Sequence, residues 1–197
     1  MLKFKTMKKK TVLNFLIVSV ITILGFSLTS CMNDNYEPIP VKLNDINGKY
    51  RARLITSQGG MFNEKIIDFT AKDSVITFGN FPMKEIVRSI VNDPVKADTV
   101  LAHLGKIEYQ LNFKPKLNPE QNVVELTFEP KILSFQMTLD GVTKDISVMM
   151  TAKQKGFFVG YDWSMRFGWE AEKITVGGVD LAPYQSIKYE IPISIKN

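Results

Sequence analysis

Lys106-Ile107-Glu108-Tyr109-Gln110-Leu111-Asn112-Phe113 is the stretch on which the fold turns. Every second residue is large and apolar, and those between are polar or charged. Successive strand side chains point to opposite faces. The period of two therefore buries Ile107, Tyr109, Leu111 and Phe113 and leaves Lys106, Glu108, Gln110 and Asn112 in water. A helix would scatter the same residues around its circumference.

The alternation repeats on both sides, near residues 49–56, 65–70, 74–79, 123–129, 132–139, 142–151, 157–164, 167–176 and 187–195. Asp140-Gly141 and Gly177-Gly178 are two-residue type I′ hairpin signals, and Gly59-Gly60 marks a looser bend between the first two strands. Short turns make successive strands antiparallel neighbours. One stretch departs from the pattern. Pro82 suits a first helical position, and Met83, Ile86, Val87 and Ile90 follow at helical spacing until Asp93-Pro94. A second short helix follows, capped by Asp93, with Ala97, Val100, Leu101 and Leu104 on its buried face and Gly105 at its end. The expectation is a mostly all-β antiparallel meander, closed as a barrel or strongly curved, with a helical pair inserted after the third strand; a two-sheet β-sandwich is the alternative.

The N-terminal part has a different composition. Lys8, Lys9 and Lys10 precede an apolar run from Val12 to Leu28, the pattern of an export signal, whose true start is Met1 or Met7. Leu28-Thr29-Ser30-Cys31 resembles the lipobox of bacterial lipoproteins. The resemblance implies cleavage before Cys31, a diacylglyceryl group on its thiol and a further acyl chain on the new amino terminus. Several chains are needed because one holds a protein to a bilayer only marginally. Met32 stands where an inner-membrane retention aspartate would be, so the likeness implies the outer membrane, in either leaflet. The expected organisation is a signal peptide over residues 1–30, a lipidated tether over 31–40 and one β-rich domain over 41–197.

The net charge of +5 belongs to the leader: Lys3, Lys5, Lys8, Lys9 and Lys10 account for it, and the remainder carries 20 basic and 20 acidic residues. A neutral domain has no broad field for polyanions, which argues against nucleic-acid binding. One cysteine cannot form an intramolecular disulfide, and with only His103 beside it transition-metal sites are not expected. No cofactor is implied.

Asp45-Ile46-Asn47-Gly48-Lys49-Tyr50, the Phe81-Pro82 helix start and the hairpin over residues 169–181 together resemble an uncharacterised family of lipoproteins from gut Bacteroides-type bacteria, a domain of unknown function. The likeness covers nearly the whole exported part, and its motifs are structural. Gly48-Lys49-Tyr50 is also faintly similar to the Gly-x-Trp opening of lipocalin-type barrels, with tyrosine in place of tryptophan.

The aromatic run Phe157, Phe158, Tyr161, Trp163, Phe167 and Trp169 reads first as core, since aromatics dominate the interiors of small β domains. Its second reading is a pocket for an apolar ligand or a sugar, with Tyr161, Trp163 and Trp169 as candidates. His103 near a helix C-terminus lacks a positioned nucleophile, Ser89 and Asp93 on the same helical pair do not form a triad with it, and no catalytic residue is named. The acidic pairs Glu170 with Glu172 and Asp68 with Asp73 suit solvated strand faces. Asp73-Ser74-Val75 and Asp98-Thr99-Val100 resemble the O-glycosylation acceptor of the same bacterial group, which implies Ser74 and Thr99 as modification sites.

The expected function is a non-enzymatic outer-membrane lipoprotein binding a small apolar ligand or an envelope protein. A structural or accessory subunit of an outer-membrane complex is the second reading and a glycan-active hydrolase the third. The first predicts an internal void beside Trp163 and Trp169; the second predicts a filled interior and an exposed apolar patch.

Overall fold

A computed structural model describes residues 39–197. The leader, Cys31 and residues 31–38 of the tether lie outside the described residues. A 3₁₀ turn, Leu43–Ile46, precedes strands β1 (Gly48–Gln58), β2 (Met61–Lys72) and β3 (Val75–Phe78). Helices α1 (Lys84–Ile90) and α2 (Pro94–Leu104) follow. Then come β4 (Tyr109–Asn118), β5 (Val123–Phe128), β6 (Lys131–Leu139), β7 (Val142–Thr151), β8 (Gly156–Val159), β9 (Ser164–Val176), β10 (Val179–Asp180) and β11 (Ile187–Lys196).

Eight strands close an antiparallel barrel in the order β11-β1-β2-β3-β4-β5-β8-β9, with β9 pairing back to β11. That closure decides for the barrel and against the sandwich. Alternation does the sorting as the sequence predicts: Tyr109, Leu111 and Phe113 are buried, while Gln110, Asn112 and Lys114 are exposed. Ile107 lies just before β4 and is only half-buried. In α2 the Asp93 carboxylate accepts from the amides of Val95 and Lys96 at 2.8 and 3.0 Å, and Gly105 ends the helix at φ +69°. Gly59-Gly60 is tighter than expected. With φ of +57° and +82° it forms a two-residue turn that pairs Gln58 with Met61, because two glycines enter the left-handed region without strain.

Two interruptions shape the wall. Glu129-Pro130 separates β5 from β6, and residues 152–155 separate β7 from β8. Proline supplies no ladder N–H, which suits Pro130 to the first of these breaks. Both breaks lie at one level, since β9 pairs with β8 over Ser164 to Arg166 and with β7 over Glu170 to Val176. Below it β5 pairs with β4 and β8; above it β6 pairs with β7 but not with β4. The barrel is therefore closed at the end carrying the β4–β5 and β8–β9 turns, here the basal end. It is opened at the other, apical, end, where α2 packs against β6.

The interior is filled by rings. Tyr50 stacks on Phe69 (5.1 Å, 8°), Phe69 meets Phe167 edge-on (5.6 Å, 90°), Phe167 stacks on Trp169 (5.5 Å, 23°) and Trp169 on Tyr189 (5.4 Å, 7°). Phe81 sits over Trp169, Tyr189 and Tyr109. Each such pair contributes about 0.5–1.5 kcal/mol beyond its buried area.

Candidate functional site

The three aromatics expected to line a pocket do not meet. Trp169 lies within the filled stack, whereas Tyr161 and Trp163 belong to the β8–β9 turn at the basal end. Trp163 stands edge-on to buried Phe158 at 6.0 Å, with the Lys196 ammonium 5.7 Å over its ring. Trp169 is 2% exposed within its stack of rings, and it also borders a depression of about 370 Å³ over Gly168.

The apical end carries large exposed apolar side chains. Met61 and Phe62, just after the Gly59-Gly60 turn, are 73% and 76% exposed, and Ile66 faces outward two pleats on. This tip overhangs the barrel, so neither face of residues 61–66 is covered. From Met61 to Phe69, β2 pairs only with β1, and β3 joins it from Thr70. A free backbone edge flanked by apolar side chains is a template for another strand. The sequence signal was present but unread: two large apolar residues after a glycine pair break the period of two, which solvated hairpins have no reason to do.

Polar contacts hold this edge in place. Asn63 Nδ2 donates to Glu85 Oε1 at 3.1 Å, Gln58 Nε2 donates to Ser89 Oγ at 2.8 Å and to the Gln185 carbonyl at 2.9 Å, and Arg53 pairs with Glu64 at 2.5 Å. Beside it a cavity of about 190 Å³ opens between β2 and the start of α1, lined by Thr56, Asn63, Lys65, Pro82, Glu85 and Leu101 among others. Two clefts of about 400 and 450 Å³ lie between the α1–α2 pair and the β6–β7 hairpin. Val100 lines both; His103, Leu104 and Met137 line the first, and Val91, Leu139 and Val142 the second. Lys96 reaches the Asp140 carboxylate across the second at 3.5 Å. The depression over Gly168 lies between Phe157, Arg166, Glu170, Lys188 and Glu190.

The remaining candidates are dispersed. His103 is exposed, with Nδ1 2.8 Å from the Thr99 carbonyl oxygen in its own helix. Ser89 Oγ donates to the Glu85 carbonyl. Glu170 lies 3.8 Å from Lys188, Glu172 pairs with Lys153, and Asp73 turns the chain at φ +50°. Thr99 is exposed with its hydroxyl on the Val95 carbonyl, and Ser74 is half-buried at φ +65°. Among the described residues no three His, Cys, Asp or Glu side chains gather as a metal site. Burial pushes the Tyr109 and Tyr189 phenols above their ordinary range, so both stay neutral. Partial burial raises the Asp162 carboxyl, but hydrogen bonds from Ser164 and Arg166 outweigh it and hold the group below the usual aspartate range.

Comparison with known proteins adds one relationship. The family model described as "Domain of unknown function (DUF4840)" matches residues 45–176, from the 3₁₀ turn to the end of β9. No curated protein and no solved structure matches the chain. With well over half of its length under that model, the chain belongs to the DUF4840 family.

Proposed function

We propose that the protein is an exported, lipid-anchored, non-enzymatic lipoprotein of the outer membrane that works as an accessory subunit, binding a partner protein at its apical end. The observation that carries this reading is the filled barrel: Tyr50, Phe69, Phe78, Phe81, Phe167, Trp169 and Tyr189 occupy the space a lipocalin-type ligand would need. Large apolar side chains instead face water at Met61 and Phe62, beside an unpaired strand edge. Scattered exposed apolar residues are ordinary; two on a protruding tip next to free backbone groups form a docking element. The Cys31 anchor, by its resemblance to the lipobox, keeps the domain at a membrane surface.

The test is native mass spectrometry of the protein purified in detergent from its host, with Phe62→Asp alongside. The expected result is a complex with one protein subunit that is lost in the variant, whose thermal stability stays within about 0.5 kcal/mol because the side chain is 76% exposed. A small-molecule adduct on a monomer, unchanged by Phe62→Asp, would restore the ligand-carrier reading.

A further inference from the structure

The basal end brings together features that the apical reading does not use. The chain enters the domain here, clamped by one side chain: Asn122 Oδ1 accepts from the Val41 amide at 2.7 Å and Asn122 Nδ2 donates to the Ile39 carbonyl at 3.1 Å. Gly160 lies against this clamp, its amide donating to the Asn122 carbonyl at 3.0 Å. A Cβ on Gly160 would stand 2.9 Å from the Val41 Cβ. The β8–β9 turn is thus pressed onto the point of entry.

Two residues of that turn, on either side of Asp162, are aromatic, and the Asp162 carboxylate is paired with Arg166. Tyr161 is 78% exposed, with no side-chain hydrogen bond among the described residues; Trp163 is 39% exposed and held at φ +54°. A bulky side chain in the left-handed region is costly, and such strain persists where the presented side chain has a use. Leu43 and Ile39 are exposed at the same end. Lys196 ties the group together, its ammonium over Trp163 and 2.6 Å from the Asp45 carbonyl in the 3₁₀ turn. Tryptophan and tyrosine, apolar with one polar atom, concentrate at the headgroup depth of bilayers, and nearby lysines suit anionic headgroups.

We infer that this basal rim, led by Tyr161 and Trp163, is a membrane-contact surface that seats the domain upright on the bilayer to which it is tethered. Delivery to that bilayer rests on the lipid-anchor reading; the surface chemistry does not. The length of the tether agrees. Ile39 is eight steps along the chain from Cys31, at most about 29 Å when extended. β1 alone is about 36 Å long, so an inverted domain would stretch the tether to its limit.

The lone cysteine provides the test. The chain from Cys31 onward is coupled through its thiol to a maleimide lipid in phosphatidylethanolamine–phosphatidylglycerol vesicles, and tryptophan emission is read against brominated lipid. Trp169 is buried and supplies a constant background. The expected result is quenching at Trp163 and none when the tryptophan is moved to the apex by Phe62→Trp in a Trp163→Phe background. Tyr161→Asp, at a residue 78% exposed, is expected to weaken vesicle partition of the uncoupled chain about tenfold. Unquenched Trp163, or equal quenching at both ends, overturns the proposal. Because the coupling supplies the tether chemically, a host that leaves Cys31 unacylated would sink the anchor reading alone.

Discussion

The two ends of the barrel are built by different means. At the base, hydrogen bonds specify each junction: Tyr50 Oη donates to the Ile46 carbonyl at 2.5 Å, Asn122 clamps the entering chain, and Asp162 ties Ser164 to Arg166. Ser194 goes furthest. β11 bulges between Ile191 and Ser194, around Pro192, and the Ser194 hydroxyl accepts from the Met165 amide at 3.1 Å and donates to the Met165 carbonyl at 2.8 Å. One side chain replaces a rung of the ladder. At the apex, rings fill space, and Tyr109 Oη, Trp169 Nε1 and Tyr189 Oη have no hydrogen-bond partner among the described residues. The difference teaches that the closed seam is fixed by directional bonds in its ladder, whereas the opened wall adds the bulk of rings to polar contacts at its edge such as Gln58 with Ser89.

Three substitutions sharpen or break this contrast. The largest effect is expected from Trp169→Ala, which removes the ring between Phe167 and Tyr189 and should cost about 3–5 kcal/mol in denaturant unfolding. A loss well under that would show that the apical stack can collapse around the void. Ser194→Ala should cost about 2 kcal/mol, since two buried backbone groups lose their partner while almost no volume is lost. A near-neutral result would remove the claim that the base is bonded more than packed. The smallest effect is in the acid limb. Because the folded pKa of Asp162 is depressed, its contribution is present above the ordinary value of 3.8 and is lost as pH falls through the depressed one. Asp162→Asn should lower stability near neutral pH and leave it unchanged in strong acid; a parallel loss at both would mean that titration is not involved.

The strands were legible in the sequence because one face of each is buried and the other wet. β6, β7 and the bounds of α2 fell within a residue of expectation for that reason, aided by Asp140-Gly141, Asp93 and Gly105. The overhang of β2 had only one signal, Met61-Phe62 after the glycine pair, because residues 61–64 bury nothing and so have no alternation to read. The level break in the wall was not legible. Glu129-Pro130 announces an interruption, but that it sits beside residues 152–155 depends on register between strands distant in sequence. The candidate site was less legible still. Trp163 and Trp169 look equivalent six residues apart, yet the first falls in the β8–β9 turn at φ +54° and the second within β9, in the core.

The closure of the ring by β11 also orders events in time. β11 pairs with β1 at one flank and β9 at the other, so the first strand waits for the last. A chain that forms from its amino terminus can settle its hairpins in turn, but the circle cannot close until residues 187–196 are present. Until then β1 presents an unpaired edge on the side that β11 takes.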